Sequence, residues 1–160
     1  MQVLVMYFSR SGNTKRLAEE IAKGVAEVEG VDCVVRSAKE VTKDDFLKSD
    51  GIIAGSPVYY GGMAAPLKDV FDRMVVTRPR MGDKVGAAFA TGGDHTGGKE
   101  TTLLSILHAF LINGMIVVGD PLDMGGHYGV ACVGEPDKET LENGRAHGKR
   151  VAELVKKLKG

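Results

Sequence analysis

Residues 3–14 read VLVMYFSRSGNT, an apolar run from Val3 to Phe8 that passes directly into a loop of hydroxyls and amides around one glycine. A short, continuous, β-prone run of this kind is what a strand covered on both faces requires. Beyond the loop, Leu17, Ile21, Val25 and Val28 recur at helical spacing, while Lys15, Arg16, Glu19, Glu20, Lys23 and Glu27 face away. The loop therefore opens onto a helix N-terminus, where unpaired N–H groups and the positive end of the macrodipole favour an anion. Ser9, Ser11, Asn13 and Thr14 add donors for several oxygens of one phosphate, Gly12 permits the tight turn, and Arg10 either reaches the phosphate or faces solvent. Ser, Thr and Asn are also common helix caps. One of them alone would say no more than that; their crowding here points to phosphate.

Apolar runs and amphipathic stretches keep alternating down the chain. VDCVVR (31–36), GIIAGS (51–56), KVGAAFAT (84–91) and GMIVVGDP (114–121) read as further strands, with TKDDFLKSD (42–50) as a short helix or turn. Pro66 suits a first helical turn, followed by Leu67, Val70, Phe71, Met74 and Val75 on one face. The last helix runs from Asp137 to the end, and Gly144 and Gly148 on its apolar face predict close approach to the sheet. Five strands with helices between them predict an α/β domain spanning 1–160, its parallel sheet covered on both sides. The helix from Glu100 to Asn113 is apolar nearly all round, so it is either deeply buried or packed against another subunit; one layer of helix per face favours the second, in a homodimer or homotetramer.

Composition removes several classes. The 160 residues carry 21 basic and 21 acidic side chains with no basic stripe, so a nucleic acid partner is not expected. No apolar stretch approaches the ~20 residues that cross a bilayer, and the N-terminus has no signal-like segment. Cytoplasmic residence is the default expectation. Cys33 and Cys132 form no C-x-x-C pair, so neither a metal site nor a disulfide framework is expected.

In open α/β sheets, ligands bind beyond the carboxyl ends of the strands. Two more unusual loops follow strands there. SPVYYGG (56–62) offers Pro57, Val58, Tyr59 and Tyr60, flat groups that stack on a planar heterocycle, before the flexible Gly61 and Gly62. TGGDHTGG (91–98) adds Thr91, backbone N–H groups of Gly92 and Gly93, then Asp94 and His95. A glycine turn with core-edge tyrosines and a solvated histidine are the plainer readings. The lysine-bearing ATP/GTP loop G-x-x-x-x-G-K-[ST] and the dinucleotide loop G-x-G-x-x-G are both absent. Phospho-accepting receivers need carboxylates where this chain has Ser9 and Ser56.

At these residues the chain resembles a family. SRSGNT is similar to the FMN phosphate loop of flavodoxin-like proteins, and the stretches around 56–73 and 91–121 resemble WrbA-type NAD(P)H:quinone oxidoreductases. The resemblance implies a flavodoxin-like, doubly wound, five-stranded parallel sheet of order 2-1-3-4-5. It implies FMN, its phosphate held by Ser9 to Thr14. The flavin ring would be bordered by Pro57, Val58, Tyr59, Tyr60 and Gly61, and at the pyrimidine end by Thr91, Gly92, Gly93, Asp94 and His95. Relatives often carry a tryptophan over the substrate, and this chain has none. The insertion that relatives place after strand five is mostly missing; His127 and Tyr128 remain in that region and are expected to approach the flavin of this or a neighbouring subunit. The expected activity is two-electron transfer through FMN from NAD(P)H to a quinone-like acceptor, with no obligate catalytic side chain. The alternative is a flavodoxin carrying single electrons to a redox protein. A protein of this fold without flavin is a third possibility, at odds with the donor-rich loop.

Overall fold

The computed structural model describes residues 1–160. Strand β1 (Gln2–Tyr7) buries Val3, Leu4, Val5 and Met6 completely. Strand alternation sends Val3 and Val5 into one core and Leu4 and Met6 into another, which is why the run shows no polar positions. After it come α1 (Asn13–Ala26), β2 (Asp32–Ser37), α2 (Lys43–Lys48), β3 (Gly51–Tyr59), β4 (Gly62–Met63) and α3 (Ala65–Arg73). The chain continues with β5 (Val85–Gly92), α4 (Lys99–Leu111), β6 (Ile116–Val117), β7 (Val130–Val133) and α5 (Lys138–Lys159). Helices α1 and α5 enclose the core of Val3, Val5, Ile53 and Phe89, and α2, α3 and α4 enclose that of Leu4, Met6, Ile52 and Phe110.

The sheet corrects the expected count. It has seven strands, in the order β2-β1-β3-β5-β6, with β4 paired to β3 and β7 to β5, so five strands in the order 2-1-3-4-5 do not describe it. One addition is β4, which turns back antiparallel on β3 through a two-residue connection, Tyr60 and Gly61. Both connecting residues have positive φ (51° and 75°), the backbone a tight hairpin demands. The other is β7: of the expected GMIVVGDP strand only β6 (Ile116–Val117) forms, and a separate strand at Val130–Val133 pairs farther along β5. β6 pairs with Val85 and Gly86 at the start of β5, and β7 pairs with Phe89 to Gly92 at its end. Gly119, Asp120 and Pro121 lie between them. All other neighbouring pairs are parallel.

Two local expectations also change. The helix from Pro66 ends at Arg73, and Met74–Arg80 winds as a tighter 3₁₀ helix. Val75, Val76 and Thr77 are β-branched and Pro79 follows, so the α-helical ladder has poor material to continue. Gly144 and Gly148 approach α1 instead of the sheet: a Cβ on either would meet Leu17 or Ile21. No helix is long and apolar enough to cross a membrane.

Candidate functional site

The loop after β1 is held by its own side chain. Ser9 Oγ accepts the Gly12 N–H at 3.1 Å, and Gly12 adopts φ 101°, a left-handed conformation that disfavours any side chain. No side chain caps α1, and its first internal bond runs from Arg16 N–H to the Gly12 carbonyl. The N–H groups of Asn13, Thr14 and Lys15 consequently have no acceptor in the protein. The plain cap reading thus finds no support at this helix, and an anion has donors ready for it.

Of these donors Asn13 lines a cleft of about 340 Å³, together with Arg10, Ser11, Pro57, Val58, Tyr59, Thr91, Gly92, Gly93 and Gly134. Three of the sheet's carboxyl ends meet there, because β1, β3 and β5 are adjacent parallel strands, with Tyr7 opposite Gly55 and Pro57 opposite Thr91 near their ends. Pro57, Val58 and Tyr59 still belong to β3, so their positions are set by the ladder instead of a loop. Buried Ser56 ties the hairpin down, accepting the Ala64 N–H at 2.8 Å and donating to the Pro57 carbonyl at 2.7 Å. Tyr59 packs edge-on against Phe8, with ring centres 6.4 Å apart.

Other expected residues stand elsewhere. Tyr60 is fully exposed at the hairpin tip, and neither it nor Gly61 lines the cleft. Ser9 and Gly12 shape the first loop from behind. Thr14 is buried, its hydroxyl 2.8 Å from that of Thr91. Asp94 turns back on its own loop, accepting the Thr96 N–H at 3.0 Å; that bond holds its carboxyl below the usual range. Lys99 Nζ donates to the His95 carbonyl at 2.8 Å, and the His95 side chain lines a neighbouring hollow with Lys99, Cys132 and Glu135. His127 and Tyr128 also lie outside the cleft lining.

The sequence reading missed Gly134. Its N–H donates to the Gly92 carbonyl at 2.7 Å, closing the ring-side wall from β7. The available signal was VACVG (130–134), a short β-prone run ending in glycine like the other strand ends. A larger groove of about 560 Å³ between α3 and α4 carries none of the three donor loops.

The chain matches the sequence pattern of the NADPH-dependent FMN reductases over residues 1–128. It belongs to that family. It is a flavodoxin-like flavoprotein with FMN as the cofactor and NAD(P)H as the family's electron donor. An iron–sulfur flavoprotein of Methanocaldococcus jannaschii is 42% identical over 91% of this chain and 78% of that protein. An NAD(P)H dehydrogenase (quinone) of Archaeoglobus fulgidus is 33% identical over 98% of each chain. A solved flavodoxin from the domain Archaea superposes with a TM-score of 0.82 at 30% identity, covering 98% of this chain and 99% of that one. The cleft fits the cofactor: unpaired N–H groups at one end suit a phosphate, and Tyr59 with the Gly92–Gly93 backbone suits a flat ring.

Proposed function

We propose that residues 1–160 act as one FMN-dependent oxidoreductase unit that passes two electrons from NAD(P)H to a quinone-like acceptor. The observation that carries this reading is the meeting of the three strand-end loops around one cleft whose anion end keeps its N–H groups free. Bound FMN supplies the hydride and electron chemistry. The chain's own residues bind and orient. Ser11, Asn13 and the start of α1 hold the phosphate, and Arg10 neutralises it from the cleft's rim. Pro57, Val58 and Tyr59 border the ring and exclude water from one side, while Thr91, Gly92 and Gly93 let backbone approach its pyrimidine edge. Asp94 and His95 shape the third loop from behind.

The second reading is a flavodoxin that carries single electrons to a redox protein, favoured by the likeness to the archaeal flavodoxin. The balanced charge, 21 basic against 21 acidic, speaks for the enzyme, because protein-docking carriers use a strongly charged face to steer association. Kinship with an iron–sulfur flavoprotein does not extend to a cluster built by this chain. A cluster needs four thiolates as a rule, and only Cys33 and Cys132 exist, on β2 and β7 at opposite edges of the sheet. Burial pushes both thiols up to about 11. A cytoplasmic location and self-association through α4 complete the proposal.

Purified protein is expected to carry FMN and to oxidise NADH or NADPH rapidly when benzoquinone is present. Bound FMN without turnover, together with electron delivery to a redox protein, would shift the assignment to the carrier. A colourless preparation that takes up no added FMN would end both readings.

A further inference from the structure

Alternation along β5 sends Val85, Ala87 and Phe89 into the core beneath α1 and α5, and Thr91 is the next residue in that row. Thr91 is 5% exposed and Thr14, the second residue of α1, is 2% exposed. Their hydroxyl oxygens lie 2.8 Å apart, a buried link between residues 77 positions apart in sequence. The core does not demand this pair. Two valines would fill the same space with no polar group to satisfy, and replacing both partners of a buried hydrogen bond by apolar groups of the same shape is nearly neutral.

Chemistry at the helix start gives the pair a different use. Each hydroxyl has one proton and two lone pairs, so a single bond between two hydroxyls leaves one proton uncommitted. Thr14 sits among the N–H groups of Asn13, Thr14 and Lys15 that have no acceptor in the protein. Thr91 is fixed on both sides, opposite Pro57 of β3 and Cys132 of β7, so its hydroxyl comes from a rigid point. If Thr91 donates, the Thr14 proton is the one left over, beside the place where an anion belongs.

We propose that Thr91 is a positioning residue for the cofactor phosphate: it donates to Thr14 Oγ1 and thereby turns the Thr14 proton toward the anion. The inference rests on the FMN reading above and adds selectivity to it. The pair favours FMN, which has the phosphate, and contributes nothing to riboflavin, which lacks it.

The test uses the full chain freed of flavin and titrated separately with FMN and riboflavin, with phosphorus NMR of the FMN complex. Thr91→Val is expected to weaken FMN about tenfold more than it weakens riboflavin, the scale of one hydrogen bond to a charged group. The phosphorus resonance of bound FMN moves in that variant, and Thr91→Ser restores both signals. Thr14→Val shows the same loss, and the double variant loses no more than either single one. Unchanged FMN affinity in Thr91→Val, or equal weakening of both flavins, would overturn the proposal. A native chain that binds neither flavin is a different result, because it removes the FMN reading itself.

Discussion

His147 shows what one side chain does to the pH response of the whole fold. It projects from α5, is fully buried, and makes no hydrogen bond through either ring nitrogen. Burial pushes its pKa from 6.5 down to about 4; Asp120 and the nearby Ala88 carbonyl favour the charged form, and Arg150 opposes it. Below pH 6.5 the unfolded chain takes up a proton that the folded chain refuses. Stability therefore falls as pH drops from 6.5 towards 4, by about 3 kcal/mol once the window is crossed. His147→Leu removes a group that has no partner to lose, so it is expected to fold well and to flatten that limb. Urea midpoints measured at several pH values for both proteins check this, and an equal acid slope in the two would refute the account.

Between elements, the α1–α5 contact depends on what lies opposite each glycine. A Cβ on Gly148 would stand 2.0 Å from the Ile21 carbonyl oxygen, whereas one on Gly144 would stand 2.7 Å from the Leu17 Cδ1 methyl. Backbone cannot yield and a leucine rotamer can. Gly148→Ala is expected to cost about 3 kcal/mol through overpacking. Gly144→Ala is expected near neutrality, since alanine gains about 1 kcal/mol in helix propensity against a small repacking cost. Similar urea midpoints for the two variants would contradict this. The same pair marks where sequence reading stops: the small face of α5 was legible from spacing, but not whether it met sheet or helix. Strands β1, β3 and β5 were legible because burial on both faces leaves continuous apolar runs. β6 was legible as part of the GMIVVGDP run but forms over only two of its residues. β4 has two residues, too few for any period, and β7 is a four-residue strand hidden beyond Gly129. Loop chemistry showed the polar groups of the cleft. It did not show that Asp94 and His95 turn away from it, because their backbone and side-chain bonds depend on Thr96 and Lys99.

Across the whole molecule, the nearly all-apolar α4 resolves into two parts. Leu103, Ile106, Leu107 and Phe110 go into the core, which accounts for most of its composition. The remainder gathers at its C-terminal end, where Leu111 and Ile112 are 53% and 68% exposed beside Val75 and Val76 at 62% and 63%. The Arg78 guanidinium fastens the two segments together, its Nε donating to the Ile112 carbonyl at 3.1 Å. Lys68, Asp72 and Arg78 border the adjacent groove, offering both signs of charge, as a self-complementary contact across a twofold axis requires. A dimer of the 17.0 kDa chain is therefore expected in light scattering, with the patch at its centre. Leu111→Glu would set two carboxylates in that contact and is expected to give monomers. Leu111 lies outside the cleft lining, so FMN affinity should stay the same in that variant. A native chain that scatters as a monomer at high concentration would show that the exposed end of α4 does not join two copies.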